Sequence, residues 1–266
     1  MIPSPARPRG SGRGFTLLEV LVVIVIIAIV AGLGTAAYQK AVDQGKAIKS
    51  MTNLRNLAAA NLAYAADNGG EFCPAQDRAN RMRWHGYRAS SGKKFDGSAG
   101  FLGPYIGGDG RVKVCPLFKD IETGQTFELG TGGYGYNAAY IGGTPGNPFK
   151  PALITDLPNP SQTVMFTTTA LARSEGTQEY PYSEPWEWVD SKGNPAGDLQ
   201  PSTHFRANGK ALVAWCDGHV TAEPPADTSG SANYYGGDNE KHHLGWFGPK
   251  EQNGYWNPKA DPSIFR

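Results

Sequence analysis

The hydrophobic pattern divides the first quarter of the chain into two segments. Residues 15–34 are apolar, and Glu19 is the only charged side chain among them. A helix needs about 20 apolar residues to cross a bilayer, so this segment predicts a membrane-spanning helix. From residue 35 to 67, selected positions recur every three or four residues, with lysines and aspartates between them, which predicts an amphipathic continuation of the same helix. These positions are Tyr38, Val42, Gly45, Ile48, Met51, Leu54, Leu57, Asn61 and Tyr64.

The sequence after the predicted helix indicates a loop-rich β domain over residues 68–266. Asn68-Gly69-Gly70 is a typical helix end, and the 35 glycines and 20 prolines of the chain indicate many turns. Short apolar runs predict strands, and the dipeptide Asn208-Gly209 predicts a hairpin turn before the last of them. The candidate strands are 112–114, 163–167 and 211–215. No second long helix is predicted, so the strands should pair in antiparallel fashion. The expected fold class is α+β, with one long helix packed on a small antiparallel sheet with long loops.

The segment before the apolar stretch is basic. Residues 1–14 contain Arg7, Arg9 and Arg13 and no acidic residue. This pattern is typical of a leader that stays in the cytoplasm while the rest of the chain crosses the membrane. An ordinary secretory signal cleaved near Ala36-Ala37 is less consistent with the sequence, because the apolar stretch is long and continues into a helical pattern. The leader is therefore predicted to be residues 1–14.

The residues around Gly14 resemble a known signal. The sequence Arg-Gly14-Phe15-Thr-Leu-Leu-Glu19 is similar to the type IV prepilin signal, the processing site of type IV pilins and of type II secretion pseudopilins. The resemblance implies that a membrane prepilin peptidase cuts after Gly14 and methylates the amine of Phe15. It also gives Glu19 a role, because a carboxylate in a membrane helix needs a partner. In a fibre, Glu19 would pair with the Phe15 amine of a neighbouring subunit.

A second and looser resemblance covers the C-terminal domain. Short pieces of sequence occur there in the same order as in the large pilin-like families of planctomycetes and verrucomicrobia, which are named for a histidine, nine residues and an Asp-Gly pair. In this chain twelve residues separate His204 from Asp217. The pieces are Val114-Cys115-Pro116, Tyr134-Gly-Tyr136-Asn137, Pro160-Ser161-Gln-Thr-Val164, and His204 followed by Asp217-Gly218-His219-Val220.

Charge and motifs narrow the functional classes. A formal net charge of +1 gives no reason to expect a nucleic acid as partner. We expect no enzymatic activity, because no nucleophile motif frames His204 and Asp217 as a hydrolase triad. We therefore predict a structural subunit of a type II secretion pseudopilus or a type IV pilus-like fibre. Its partners would be prepilin peptidase, the inner membrane and other pilin or pseudopilin subunits.

The alternative is a carbohydrate-binding or surface-binding module that uses a pilin anchor or is carried on a fibre. Aromatic residues are concentrated late in the chain, as an adhesive face would require, although core packing under long loops explains such residues more often. In both cases we expect a single-pass inner-membrane protein. Its N-terminus would be cytoplasmic and its C-terminal domain periplasmic, or extracellular once assembled into a pilus.

Two further kinds of site were considered. Cys73 and Cys115 are candidates for a disulfide, because both precede proline in a domain predicted to lie in an oxidising compartment; the pairings that involve Cys216 stay open. No cofactor is expected. Oxygen-bearing side chains in turns are weak candidates for a structural Ca²⁺ site, whereas a solvated loop is the favoured interpretation. These candidates are Asp217, Asp238, Asn239 and Glu240.

Overall fold

The computed structural model describes residues 14–90, 92–107, 111–119, 128–192, 194–226 and 233–265. Residues 1–13 of the predicted leader lie outside this part of the chain. The described chain contains one α-helix, α1, over Leu17–Asp67, followed by short strands and 3₁₀ turns. An α+β fold with a long N-terminal helix is therefore confirmed, and the predicted helix bounds of 15 and 67 are right to within two residues.

The C-terminal end of α1 is fixed by local backbone chemistry. The amide of Gly70 donates to the carbonyl of Ala65 at 2.8 Å, which is the six-to-one bond of a Schellman motif. Gly69 occupies the left-handed position of this motif with φ of 66°. A side chain at Gly69 would be strained there, so the glycine after Asn68 explains why the helix ends at Asp67.

The chain separates into two compact units, residues 1–44 and residues 45–266. In the first unit, the apolar side chains described from Phe15 to Val30 are exposed. In the second unit, the last turns of α1 pack into the main core, where Leu54, Leu57 and Asn61 are fully buried. The predicted stripe is wrong at Tyr38 and Ile48, which are 72% and 66% exposed, because a single chain offers these two side chains no surface to cover them.

The β structure is one four-stranded antiparallel sheet with four small two-stranded sheets around it. The strand order of the central sheet is β11-β10-β4-β3, and the small sheets pair β1 with β2, β5 with β6, β7 with β8, and β9 with β12. All these pairings are antiparallel, as predicted. The strands are β1 Met82–Arg83, β2 Gly86–Tyr87, β3 Tyr134–Tyr136, β4 Val164–Thr168, β5 Leu171–Arg173, β6 Gly176–Gln178, β7 Glu187–Val189, β8 Pro195–Asp198, β9 Thr203–His204, β10 Ala211–Trp215, β11 Val220–Glu223 and β12 Leu244–Gly245.

Two turns flank the central strand β10 and set its register. Asn208 and Gly209 both have positive φ, 53° and 75°, between the bridged residues Ala207 and Lys210. This is the mirror-image turn that the Asn-Gly pair predicts. At the other end, Gly218 has φ of 92° and its amide donates to the carbonyl of Trp215 at 2.9 Å, which lets the chain return as β11.

One predicted strand is wrong. Residues Arg111–Lys113 form a 3₁₀ turn instead of an extended strand. The main chain there follows its surroundings, since Asn53 on α1 donates to the carbonyl of Val114 at 3.1 Å and the amide of Cys115 donates to the carbonyl of Gly132 at 2.8 Å. These long-range bonds outweigh the β preference of the two valines.

Candidate functional site

The predicted processing site lies at the start of the described chain, immediately before α1. Gly14 and Phe15 are exposed, and the side chain of Phe15 is 80% accessible. A Cβ atom on Gly14 would meet no atom within 4 Å, and the φ of Gly14 does not lie in the left-handed region. The fold therefore does not require glycine at this position. If glycine is required there, the requirement comes from a molecule that acts on this bond.

Thr16 and Glu19 form a reciprocal cap at the start of α1. The amide of Glu19 donates to Oγ1 of Thr16 at 3.2 Å, and the amide of Thr16 donates to Oε2 of Glu19 at 2.9 Å. The Thr16 hydroxyl also donates to Oε2 of Glu19 at 2.9 Å. This is a capping box, in which the first and fourth residues satisfy each other's backbone amides. The pair of residues has the spacing that defines a capping box, so the sequence contained the signal, but our reading assigned Glu19 only a role between subunits.

The capping box also places a carboxylate where helix electrostatics favour it. Glu19 lies in the first turn of α1, where the aligned peptide dipoles give a partial positive charge. Thr16 and Glu19 are both exposed, so the carboxylate of a single chain is held locally and stays accessible to a second positive group. Such a carboxylate suits the recognition of an amine at the same level of the membrane.

The helix that follows can serve as an anchor. Among the residues that the structure describes, α1 is the one helix that is long and apolar enough to cross a membrane, by length and composition. Its apolar window is not buried inside the protein.

Residues 10–35 match the family model of the prokaryotic N-terminal methylation motif. The chain carries a pilin-type N-terminus. This motif is typical of type IV pilins and pseudopilins, and it indicates a precursor that prepilin peptidase processes and that a single span anchors. No curated protein and no solved structure matches the chain significantly. The motif ends before the C-terminal domain, whose role must be argued from its own residues.

The structure does not bring the predicted disulfide partners together. All three cysteines are free, buried thiols. The amide of Cys73 donates to Oδ1 of Asn61 at 2.8 Å, whereas Sγ of Cys115 lies 3.4 Å from Oγ of Ser50. Ser50 and Asn61 are about 16 Å apart along the helix axis at ~1.5 Å per residue. A disulfide needs Cα atoms within about 7 Å, so this pairing is not formed here.

The weak Ca²⁺ candidates serve as turn-forming residues in this structure. Asp217 accepts from the amide of His219 at 3.0 Å, and its Oδ1 lies 2.6 Å from Nδ1 of the same ring. Asp238 caps the amide of Lys241 at 3.0 Å. No group of three or more His, Cys, Asp or Glu side chains is arranged to hold a metal among the described residues.

The other two Ca²⁺ candidates are also placed by the loop that contains them. Asn239 is buried and its Oδ1 accepts from Nδ2 of Asn233 at 2.8 Å. Glu240 is exposed, and its carbonyl accepts from the amide of His243 at 3.0 Å. The Ca²⁺ assignment therefore stays a prediction, and the observed contacts are those of a solvated loop.

The two residues of the looser resemblance lie in different surroundings. His204 is in β9, where it pairs with Leu244, and burial beside Arg206 holds its pKa well below the usual value. Asp217 is at the β10–β11 turn and is bonded to His219. The described contacts do not connect His204 with Asp217.

A buried ion pair was not predicted. The guanidinium of Arg83 contacts the carboxylate of Glu128, and both side chains are almost fully inaccessible. Arg83 also lies over the rings of Phe95 and Tyr182, at 4.8 and 5.3 Å from the centroids. A lone arginine and a lone glutamate separated by 45 residues carry no sequence signal for such a pair.

Most of the late aromatic residues serve as core. Trp186 and Trp246 stack with their centroids 4.7 Å apart, and Trp256 packs against Phe247 at 4.8 Å. These four side chains are buried. Trp188 is an exception because 42% of its side chain is exposed. The aromatic residues therefore split into a packed cluster and a few that face solvent.

Proposed function

We propose that this chain is the precursor of a structural subunit of a pilin-like fibre, a type II secretion pseudopilus or a type IV pilus-like fibre, without catalytic activity of its own. The observation that carries the proposal is the methylation motif, which leads directly into the capped start of a membrane-length helix. Prepilin peptidase would cut between Gly14 and Phe15. The basic leader would remain in the cytoplasm, and the C-terminal domain would lie in the periplasm or on the assembled fibre.

In this proposal Glu19 exchanges one partner for two. Within one chain its carboxylate accepts hydrogen bonds from Thr16. After cleavage, the new amine of Phe15 is a positive charge at the same end of the helix, and the Glu19 of an adjacent subunit can neutralise it inside the apolar bundle. The exposed side chains of Tyr38 and Ile48 would then be covered by neighbouring helices.

The alternative function shares the anchor and differs in what the C-terminal domain does. A surface-binding module would be processed in the same way, but its loss would remove adhesion and leave secretion intact. A secretome comparison of a strain that lacks the gene separates the two, because a pseudopilus subunit is needed for secretion.

Mass spectrometry of the mature N-terminus tests the processing step. We expect an N-methylated Phe15 as the first residue, and the variant Gly14→Leu should remain uncut while it still inserts into the membrane. Because a side chain at Gly14 meets nothing in the fold, a block in this variant reports recognition by the peptidase and not misfolding. A mature chain that begins at Met1 or near Ala37 would overturn the proposal.

A further inference from the structure

A small cleft opens on the C-terminal domain beside the segment 180–184. Its volume is about 200 Å³. The residues that give it chemistry are Gln76, Tyr180, Tyr182, Glu184 and Trp188. Three of the five are aromatic, one is an amide and one is a carboxyl group. No basic side chain is among its described lining residues, so the cleft does not suit a phosphate or another anion.

One wall of the cleft is held rigidly against the central sheet. The amide of Ser183 donates to the carbonyl of Tyr136 at 2.8 Å, and the amide of Tyr136 donates to the carbonyl of Pro181 at 2.9 Å. The amide of Glu184 donates to Oγ of Ser202 at 2.9 Å. A wall that is already ordered loses little conformational entropy when a ligand binds.

Glu184 has an unused acceptor in this cleft. The residue is only 8% exposed, and its Oε1 accepts from the hydroxyl of Tyr180 at 2.5 Å. Its second carboxyl oxygen has no protein partner among the residues that the structure describes. Burial raises the pKa of Glu184, since the charged form is poorly solvated there. A buried carboxyl group without a full set of partners is costly unless a ligand satisfies it.

Gln76 supplies the complementary donor. Its Oε1 accepts from the hydroxyl of Tyr182 at 2.5 Å, which fixes the orientation of the amide. The two N–H donors of the same amide have no partner within the described part of the chain. An acceptor at Glu184 and a donor at Gln76 in one cleft match a ligand that carries neighbouring hydroxyl groups, because each hydroxyl both donates and accepts.

Trp188 supplies an open aromatic face. It lies in β7, and the pairing register with β8 shifts between Trp188 and Val189. Such a bulge redirects a side chain and is common beside functional sites. The indole is 42% exposed at the cleft, whereas Trp186, two residues earlier, is buried. An exposed indole beside polar groups offers packing to the apolar face of a ring.

The charges near the cleft argue against an organic cation. The guanidinium of Arg83 already lies 5.3 Å from the centre of the Tyr182 ring. This positive charge uses the attraction of that aromatic ring and would repel a second cation nearby. A neutral ligand has no such cost.

We propose that this cleft binds one neutral sugar ring, with two hydroxyls held by Glu184 and Gln76 and an apolar face packed on Trp188. The volume is below the range of about 300–1,000 Å³ that drug-sized ligands occupy, which fits a single ring or the terminal residue of a glycan. The proposal is independent of the subunit role, because it concerns only the C-terminal domain.

Saturation-transfer NMR on the full chain in lipid nanodiscs tests the site. Nanodiscs are needed because common maltoside detergents are themselves sugars. The probes are the methyl glycosides of glucose, galactose, mannose and N-acetylglucosamine, each at about 10 mM, since a ligand this small is expected to bind with a Kd near 1 mM. We expect saturation transfer to the ring protons of at least one glycoside. No transfer to any of the four would overturn the proposal.

Four variants locate the binding. Trp188→Ala and Gln76→Ala should each weaken glycoside binding about tenfold, and Glu184→Gln, which keeps an acceptor oxygen, about threefold. Tyr234→Ala removes another exposed aromatic side chain, 68% accessible and not among the lining residues, and should bind like the unaltered chain. Circular dichroism confirms that each variant is folded.

Two results would overturn the proposal at this stage. Glycoside binding that survives both Trp188→Ala and Gln76→Ala lies elsewhere on the protein. Binding of tetramethylammonium that is lost in Glu184→Gln, without binding of any glycoside, would identify a cation site instead.

Discussion

Asn61 and Tyr136 meet in a buried hydrogen bond that connects α1 with the edge strand of the central sheet. Nδ2 of Asn61 donates to Oη of Tyr136 at 3.0 Å, and Oη donates in turn to the carbonyl of Cys73 at 2.9 Å. The amide of Cys73 completes the triangle by donating to Oδ1 of Asn61 at 2.8 Å. Three segments distant in sequence are thus held at one point without a cysteine bridge.

Substitution of Asn61 should therefore destabilise the C-terminal domain. In Asn61→Ala, the amide of Cys73 and the hydroxyl of Tyr136 each lose a buried partner, and we expect the free energy of unfolding to fall by about 2–4 kcal/mol. Urea unfolding followed by tryptophan fluorescence measures this. Lys49→Ala, on an exposed position of the same helix, is the control and should change the free energy of unfolding by less than about 0.5 kcal/mol. Equal effects of the two substitutions would show that the triangle contributes little.

The three cysteines should be protected thiols in the folded protein. Burial raises the pKa of the Cys73 and Cys216 thiols, so their reactive thiolate forms are disfavoured, and Cys115 is only 2% exposed. We expect iodoacetamide to modify none of them rapidly in the native protein and all three after denaturation without a reductant. Peptide mapping by mass spectrometry counts the modified thiols. A linked Cys73–Cys115 peptide from the purified envelope protein would contradict this expectation.

The parts of the fold that were predictable are those whose determinants are local. The end of α1 depends on Gly69 at the left-handed position, and the start of β10 depends on the Asn208-Gly209 turn, so both could be read from adjacent residues. The segment 112–114 was predicted wrongly because contacts from Asn53 and Gly132 decide its conformation. Those contacts come from distant parts of the chain, and the sequence pattern of the segment does not contain them.

The same distinction applies to the sites. Gly14, Phe15 and Glu19 are neighbours in one motif, which the family model also recognises. The cleft on the C-terminal domain depends on Tyr182 reaching Gln76, a residue 106 positions earlier, and no spacing rule connects such a pair. The stripe prediction failed at Ile48 for a further reason, since periodicity marks an apolar face without naming the surface that covers it.

His85 should make the stability of the domain sensitive to mild acid. Its ring is fully buried beside Trp84 and Phe95, and neither ring nitrogen has a hydrogen-bond partner among the described residues. Burial, and then the charges of Lys113 and two arginines, hold the pKa of His85 well below 6.5. Below pH 6.5 the unfolded chain takes up a proton that the folded chain refuses, so stability is lost as the pH falls.

The comparison of wild type with His85→Phe measures this effect. Between pH 6.5 and 5 the free energy of unfolding of the wild type should fall more steeply than that of the variant, by up to about 1.4 kcal/mol per pH unit. Glu128, whose pKa is raised by burial, acts in the opposite sense as it takes up a proton in the folded state, but it is present in both proteins. Parallel stability curves for the two proteins would show that His85 is not held neutral.

Glu19 should be required for assembly through its charge and not through its cap. Glu19→Gln keeps an oxygen that can accept from the amide of Thr16, so the start of α1 should stay formed, while the negative charge that attracts the amine of an adjacent Phe15 is removed. Thr16→Ala does the reverse: it weakens the cap by about 1 kcal/mol and leaves the carboxylate in place. We expect both variants to insert into the membrane and to be cleaved, but only Thr16→Ala to assemble, as measured by shearing fibres from cells and blotting for the subunit. Normal assembly of Glu19→Gln would refute the charge pairing, and failure of both variants would assign the requirement to the capping box itself.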